Sequence, residues 1–394
     1  MRQVVPHAAV VPTVSMPPED EKKSQHPRSD KNVFYEQFKP MFIILILFGR
    51  LSITRIKGKY QWRYMSLLMI YCAVNYALQS YIVFLVCKKR FDSLMDAQRN
   101  YDELIFAMHI LAYLSIHFHL PFTYWAQGPK LAEYINMWKK FQDEWFLTFG
   151  DELKLSLKRF IRWFSLSTIP SVMLLLVFEK YSTLHDPWLY LMPYLFTIVS
   201  TMLALGLWYC TCIEINRLSK KSTVRLIQHM ETKPNAAFLR QWRHLWISLS
   251  SLSSWLGSHL SGIIASIFLT FSLTFLLGLY NALSLIIKLD ISWKAIGYLS
   301  ASTLSLCIIY TLCDAGQKGS KEISTHAFQE VLKTKLASNS LDIRYELSLL
   351  IKSIEVNLPE IELAGFVTMN RSLFISFVSN TITYLIVILQ FKFN

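Results

Sequence analysis

Charge is scarce in this sequence: Asp, Glu, Lys and Arg make up 17% of its 394 residues, against about 25% in soluble globular chains. That scarcity excludes an ordinary soluble domain and a charge-rich disordered chain. Cysteine is sparse as well. The six residues (Cys72, Cys87, Cys210, Cys212, Cys307, Cys313) lie mostly within or beside apolar stretches, which excludes a secreted disulfide scaffold and makes them buried apolar fillers. An apolar signal core is missing from the first 33 residues, which are polar and Pro-rich, so nothing there predicts cleavage or export. Matching halves are missing too, and a transporter built of inverted repeats would show them.

What is present is apolar: 53% hydrophobic and 14% aromatic residues, with a mean hydropathy of +0.32. Uncharged runs long enough for a hydrocarbon core of roughly 30 Å occur at Tyr64 to Val86, Leu104 to Ala126, Pro187 to Ile213, Leu260 to Ile287, Ala295 to Cys313 and Ser372 to Phe391. A shorter run, Trp163 to Phe178, becomes a seventh span if Arg162 and Glu179 reach to the interfaces. Met41 to Phe48 is too short to cross and reads as an interfacial or packed helix. The expectation is an all-α polytopic membrane protein with seven transmembrane helices.

The net charge of +13 reports orientation rather than a nucleic-acid partner, because Lys and Arg accumulate on the cytoplasmic side. With the N-terminus inside, 31 of the 40 basic residues fall in cytosolic segments. An odd span count then leaves the C-terminus outside. This is the reverse of a G-protein-coupled receptor, whose triplet and Asn-Pro-x-x-Tyr marks are also absent. Residues 1–33 read as a disordered cytosolic tail and 34–394 as one membrane domain. Helical spacing continues into cytosolic extensions at about 128–162, 214–258 and 314–365, where Leu131, Tyr134, Ile135, Trp138 and Phe141 make an apolar stripe. The uncharged stretch of the fifth span starts near Leu245, so its helix should continue well below the bilayer.

Catalytic and metal chemistry find little support. His117 and His119 lie about 200° apart on a helix, and His109 is about 80° from His117 with no acidic partner in reach. Cys210 and Cys212 are splayed likewise. No cofactor, metal or enzymatic reaction is expected. His109, in the outer half of the second span, is either a packed, hydrogen-bonded group or one facing a cavity. Tyr113, Tyr190, Tyr194, Tyr280 and Tyr298 recur in outer halves, as interface anchors or as the aromatic lining of a pocket.

The last span is the most informative. At 100° per residue, Ser372, Ser376, Ser379, Thr383 and Gln390 fall within an arc of about 60°, interrupted by Ile386 near the same line. Interhelical hydrogen bonding explains such a stripe; lining of a water-filled pore, with an apolar ring able to close it, is the favoured reading. One helix encloses nothing, so a pore requires oligomerisation.

The same residues carry a signature. Thr383-Tyr384, five apolar residues, then Gln390-Phe391 (TYLIVILQF) resembles the closing motif of the insect gustatory receptor family. The segments Phe91 to Gly128, Leu207 to Lys221 and Ser353 to Phe374 are most similar to its carbon dioxide receptor lineage. Leu385 stands where sugar receptors of the family carry an acid, which argues against that branch; a bitter-type receptor stays open. The resemblance implies the insect chemoreceptor channel fold: a homo- or heterotetramer with related subunits, forming a ligand-gated non-selective cation channel in the plasma membrane of chemosensory neurons. It implies that Gln390 with Ile386 and Val387 form the constriction, that Thr383 and Tyr384 pack and line, and that a small-molecule pocket opens outward among spans two to six. A non-conducting metabotropic receptor is the rival. For carbon dioxide, a small apolar molecule with weak acceptor oxygens, His109 and the tyrosines are the available donors.

Overall fold

In a computed structural model of the chain, residues 31–96, 101–181, 187–288, 292–337, 340–363 and 365–393 are described; the expected disordered tail lies almost wholly outside them. Helix α1 (Val33–Leu47) leads through a short hairpin, β1 (Ile53–Ile56) and β2 (Lys59–Trp62), to α2 (Leu67–Asp96). There follow α3 (Tyr101–Phe149), α4 (Lys158–Glu179), α5 (Met192–Thr232), α6 (Ala236–Ile287), α7 (Trp293–Gly319), α8 (Lys321–Ala337), α9 (Leu341–Val356) and α10 (Arg371–Phe393). A second small hairpin, β3 (Glu362–Leu363) and β4 (Val367–Thr368), precedes α10.

Among the described residues six helices are long and apolar enough to cross a membrane, joined by a shorter apolar helix at Arg371–Val387. With α10 continuing to 23 residues, its length of about 34 Å suffices for the seventh crossing. Helices α3 and α6, of 49 and 52 residues, run for about 74 and 78 Å. Each therefore projects far beyond the hydrocarbon core; the end of α3 packs on α6, and α5 and α6 pack on α8 and α9 respectively. The lower α3 stripe is buried throughout, with Leu131, Tyr134, Ile135, Trp138 and Phe141 at most 2% exposed.

Helix α1 is a packed element, not an interfacial one. Asn32 caps it by accepting from the Tyr35 amide at 3.1 Å and ties it to α3 by donating to the Ile135 carbonyl at 2.6 Å. Phe34, Phe38, Met41, Phe42 and Leu45 are buried, and Phe34 stacks on Trp138 with ring centroids 4.8 Å apart. The chain then reverses at Gly49, whose φ of +72° lies in the left-handed region that favours glycine. Side chains of α2 satisfy the exposed carbonyls: Tyr71 and Asn75 donate to Leu47, and Gln79 donates to Phe48. Gln79 stands twelve residues along α2, about 18 Å from its start. The reversal is therefore irregular backbone whose carbonyls are satisfied by α2 side chains rather than by helix partners. Arg50 goes with it. Counted among the cytosolic cations from sequence, it is 1% exposed and donates to Gln79 Oε1 at 3.0 Å and Ser200 Oγ at 3.3 Å.

A second buried charge organises the cytosolic entrance to α4. Glu214 on α5, 1% exposed, accepts from the backbone amides of Ser156 and Leu157 at 2.8 and 2.6 Å and from Gln37 Nε2 at 3.0 Å. One carboxylate thus joins α1, α5 and the start of α4, where unsatisfied N–H groups favour negative charge.

The loop between α3 and α4 is pinned by a two-pronged pair. Arg225 donates Nη1 to Asp151 Oδ1 at 2.6 Å and Nη2 to Oδ2 at 2.8 Å. The hydrogen bonds from Arg225 hold the Asp151 carboxyl below its ordinary range. A carboxylate lowered on folding stabilises the fold above its unfolded value of about 3.9 and loses that contribution as pH falls through the folded value. The Asp151→Asn protein should therefore melt below wild type near pH 7, with the gap closing as the medium is acidified below about pH 4. Paired thermal melts across that range check it, and a gap independent of pH would refute it.

Candidate ligand cavity and pore-facing helix

Five helices enclose a cavity of about 100 Å³ in the outer half of the bundle. Helix α3 supplies Phe106, His109, Ile110 and Tyr113; α4 supplies Leu175, Leu176 and Glu179; α5 supplies Tyr194, Ile198 and Met202; α6 supplies Phe271 and Thr274; α7 supplies Tyr298, Ala301, Leu304 and Ser305. The wall is mostly aromatic and aliphatic. Tyr113 lies parallel to Tyr194 with centroids 6.1 Å apart at 18°, and Phe271 meets Tyr113 edge-on at 84°. Tyr298 sits 5.9 Å from Phe106 and 6.3 Å from His109.

His109 and Tyr113 are four residues apart on α3 and therefore share one face. His109 Nδ1 and the Tyr113 hydroxyl are both buried with no hydrogen-bond partner. Leaving such a group unsatisfied costs about 1–3 kcal/mol, so two orphaned groups side by side in one cavity are positioned for a guest. Behind them Gly278 on α6 permits the close approach: a Cβ there would stand 2.6 Å from Ser302 Oγ and 3.1 Å from the imidazole Cε1 of His109. Glu179 closes the outer rim, accepting from Ser300 Oγ at 3.3 Å.

Of the six pocket residues named from sequence, His109, Tyr113, Tyr194 and Tyr298 converge on this cavity. Tyr190 and Tyr280 do not line it. Tyr190 occupies a 3₁₀ turn at Trp188–Leu191, with Lys89 Nζ 5.5 Å above its ring. Tyr280 is buried in a separate apolar cluster with Ile105, Leu277 and Leu385, beneath α10 rather than beside the cavity.

Helix α10 lies on the outside of the single chain. Phe374 packs on Tyr310, Phe377 on Phe268 and Phe275, and Thr381 and Leu385 are buried. The opposite face is bare. Ser372, Ser376, Ser379, Thr383, Ile386, Val387 and Gln390 are all exposed, with Ile386 at 52% and Val387 at 41%. Thr383 bonds back to the Ser379 carbonyl of its own helix at 3.1 Å. Among the described residues no stripe hydroxyl bonds another helix. Tyr384 is also exposed, at 62%; the Phe391 side chain lies outside the described residues.

Comparison with known proteins decides the family. Residues 38–394 match the pattern of the 7tm chemosensory receptors. The chain belongs to that family. This receptor is 25% identical over 366 residues to gustatory and odorant receptor 22 of Anopheles gambiae, a match covering 91% of the chain and 78% of the relative. It is also 25% identical to gustatory and odorant receptor 21a of Drosophila melanogaster, over 91% of the chain and 81% of the relative. Its fold resembles the olfactory receptor OR5 from Machilis hrabei, with a TM-score of 0.59 at 14% identity, spanning 89% of this chain and 97% of that one. The structure of OR5 in complex with eugenol gives a TM-score of 0.61 at 14% identity, spanning 91% and 98%. The receptor is thus a multi-pass membrane protein of the insect gustatory and odorant type, and the family is one of receptors, not enzymes.

The histidine pair of the receptor diverges as its helical spacing requires. His117 Nε2 lies 3.2 Å from Ser80 Oγ on α2, whereas His119 Nε2 lies 3.5 Å from Thr270 Oγ1 on α6. Among the described residues no three His, Cys, Asp or Glu are grouped to hold a metal. Sequence reasoning missed Phe106, Met202, Phe271 and Thr274 on the cavity wall, since nothing local separates an apolar residue facing a cavity from one facing lipid. Glu179 was visible as the charge closing an apolar run, but read as an interfacial anchor.

Proposed function

We propose that this receptor is a subunit of a ligand-gated, non-selective cation channel of the chemosensory neuron plasma membrane, tetrameric with itself or related subunits, and that its stimulus is carbon dioxide. The observation that carries the channel reading is the bare polar stripe of α10. An apolar helix that buries one face and leaves hydroxyls, an amide and Ile386 with Val387 unpartnered requires other subunits to cover it. Four copies around an axis would place Gln390, Ile386 and Val387 at the constriction and Thr383, Ser379 and Ser376 below it, with Tyr384 flanking the line.

The cavity supports the stimulus. It is small and mostly apolar, with two adjacent unpartnered polar groups inside and one carboxylate, Glu179, at the rim, which suits a compact neutral molecule with weak acceptors. The ligand opens the channel only through tighter binding to the open state. Whole-cell recording with candidate partner subunits, under stepped carbon dioxide at fixed pH, tests this directly. A second messenger response without ligand-gated current would favour a metabotropic receptor, and currents evoked by bitter compounds alone would assign the other branch. Removing one neutral hydrogen bond weakens binding by about 0.5–1.5 kcal/mol, so His109→Ala and Tyr113→Phe should each raise the half-activating concentration by about 2- to 12-fold. Unitary conductance should stay unchanged; if conductance moved instead, the cavity would not be the ligand site.

A further inference from the structure

Every side-chain hydrogen bond that joins α10 to another helix, among the described residues, is made at its first residue. Arg371 Nε donates to Asp314 Oδ1 on α7 at 2.8 Å, and its Nη2 reaches the same oxygen at 2.7 Å and Glu322 Oε1 on α8 at 3.2 Å. Asp314, 6% exposed, is held from below by Lys318 Nζ at 2.7 Å. The amide of Arg371 donates to Gln317 Oε1 at 3.1 Å, so a side chain of α7 also caps the helix start. The connector before it packs closely on α7: a Cβ at Gly316 would stand 2.6 Å from the Met369 carbonyl oxygen, so the two backbones are in direct contact. Above this base the contacts of α10 are rings and aliphatic chains. Dispersion is non-directional and each contact is weak, so the shaft can slide on α6 and α7 while its foot is fixed in angle and distance.

Helix α7 carries both ends of the problem. It is continuous over 27 residues and contains no proline. Tyr298, Ala301, Leu304 and Ser305 line the cavity, and Asp314 follows Ser305 by nine residues, about 14 Å along the same rod. From the proposed channel function, on which this step rests, we propose that the Asp314–Arg371 clamp is the fulcrum through which displacement of α7 at the ligand cavity tilts the pore helix. Gln390 lies nineteen residues above Arg371, about 28 Å along the axis, so a tilt of only about 5° moves it by about 2.5 Å. Asp314, Arg371 and Glu322 act here as positioning residues; none touches the ligand or the conduit.

The test is single-channel and dose-response recording of Asp314→Asn, Arg371→Gln, the double variant and Glu322→Gln, with cell-surface protein quantified for each. Coupling free energies between sites are commonly equivalent to about 5- to 150-fold, so Asp314→Asn and Arg371→Gln should each shift the half-activating concentration by about 5-fold or more. Unitary conductance and reversal potential should match wild type. The double variant should be no worse than the stronger single one, because both remove the same contact. If the Asp314 variant fails to reach the surface, Glu322→Gln, which loosens only the second contact of Arg371, carries the test with a smaller shift in the same direction. Wild-type dose responses in folded variants, additive shifts, or altered conductance would overturn the clamp while leaving the channel standing. A wild type silent in every subunit pairing would overturn the channel reading itself and the clamp with it.

Discussion

Replacing Ile386 by Lys is expected to abolish cation current while leaving ligand binding intact. In the proposed tetramer Ile386 contributes an apolar ring near the outer end of the pore, where closure works by expelling water. A cation passing about 4 Å from one ammonium in water is repelled by about 1 kcal/mol. Four such groups oppose passage by about 4 kcal/mol, close to a thousandfold in rate. Ile386→Glu should do the opposite, raising cation conductance and adding a leak without ligand, because a charged ring stays wetted. Gln390→Lys should reduce current in the same sense as Ile386→Lys. Reversal potentials in mixed solutions and unitary currents are the measurements. A set of variants in which only the dose response moved would remove α10 from the conduction path.

Glu214→Leu should lower stability by roughly 3–9 kcal/mol, since two backbone amides and the Gln37 amide lose their acceptor at about 1–3 kcal/mol each. Glu214→Gln should recover most of this. All three of those donors converge on Oε1, which the amide oxygen replaces, and the new amino group meets only the Ser156 hydroxyl that faces Oε2. Thermal unfolding of the purified receptor in detergent, with surface expression in cells, reports the effect. Near-wild-type melting of the leucine variant would mean that the α4 entrance finds water or another acceptor instead.

These two sites differ in how they could be seen. The α10 stripe was legible because a polar residue in an apolar helix is conspicuous and its azimuth follows from 100° per residue. The spans and the long descent of α6 were legible for a related reason: hydropathy measures the contrast between lipid and water, and uncharged length converts directly to ångströms. Glu214 and Arg50 were not, since both sit next to charged stretches and read there as ordinary cytosolic charges. What distinguishes them is a partner in the fold, Gln37 for one and Gln79 for the other, far away in sequence. The β1–β2 hairpin also escaped notice, being only four residues per strand. The tyrosines show the same limit within one set. Tyr113, Tyr194 and Tyr298 face the cavity and Tyr280 faces away, although all four are aromatic residues in outer halves of spans. Depth could be read from sequence, whereas direction around the helix axis depended on neighbours.

The docking of α1 fixes an order of events during synthesis. Asn32 waits for Ile135 and Gln37 for Glu214, partners 103 and 177 residues downstream. At about 5–20 residues per second, Gln37 meets its acceptor roughly 10–35 s after it is made. Until α5 is made, the Arg50 turn has its α2 partner Gln79 and α1 has α3 and α4 to pack on, but the side of the site that Ser200 and Glu214 complete stays open. Insertion of α2 to α5 must come before that site closes, and α1, the earliest-made of the described helices, is among the later ones to find its full set of partners.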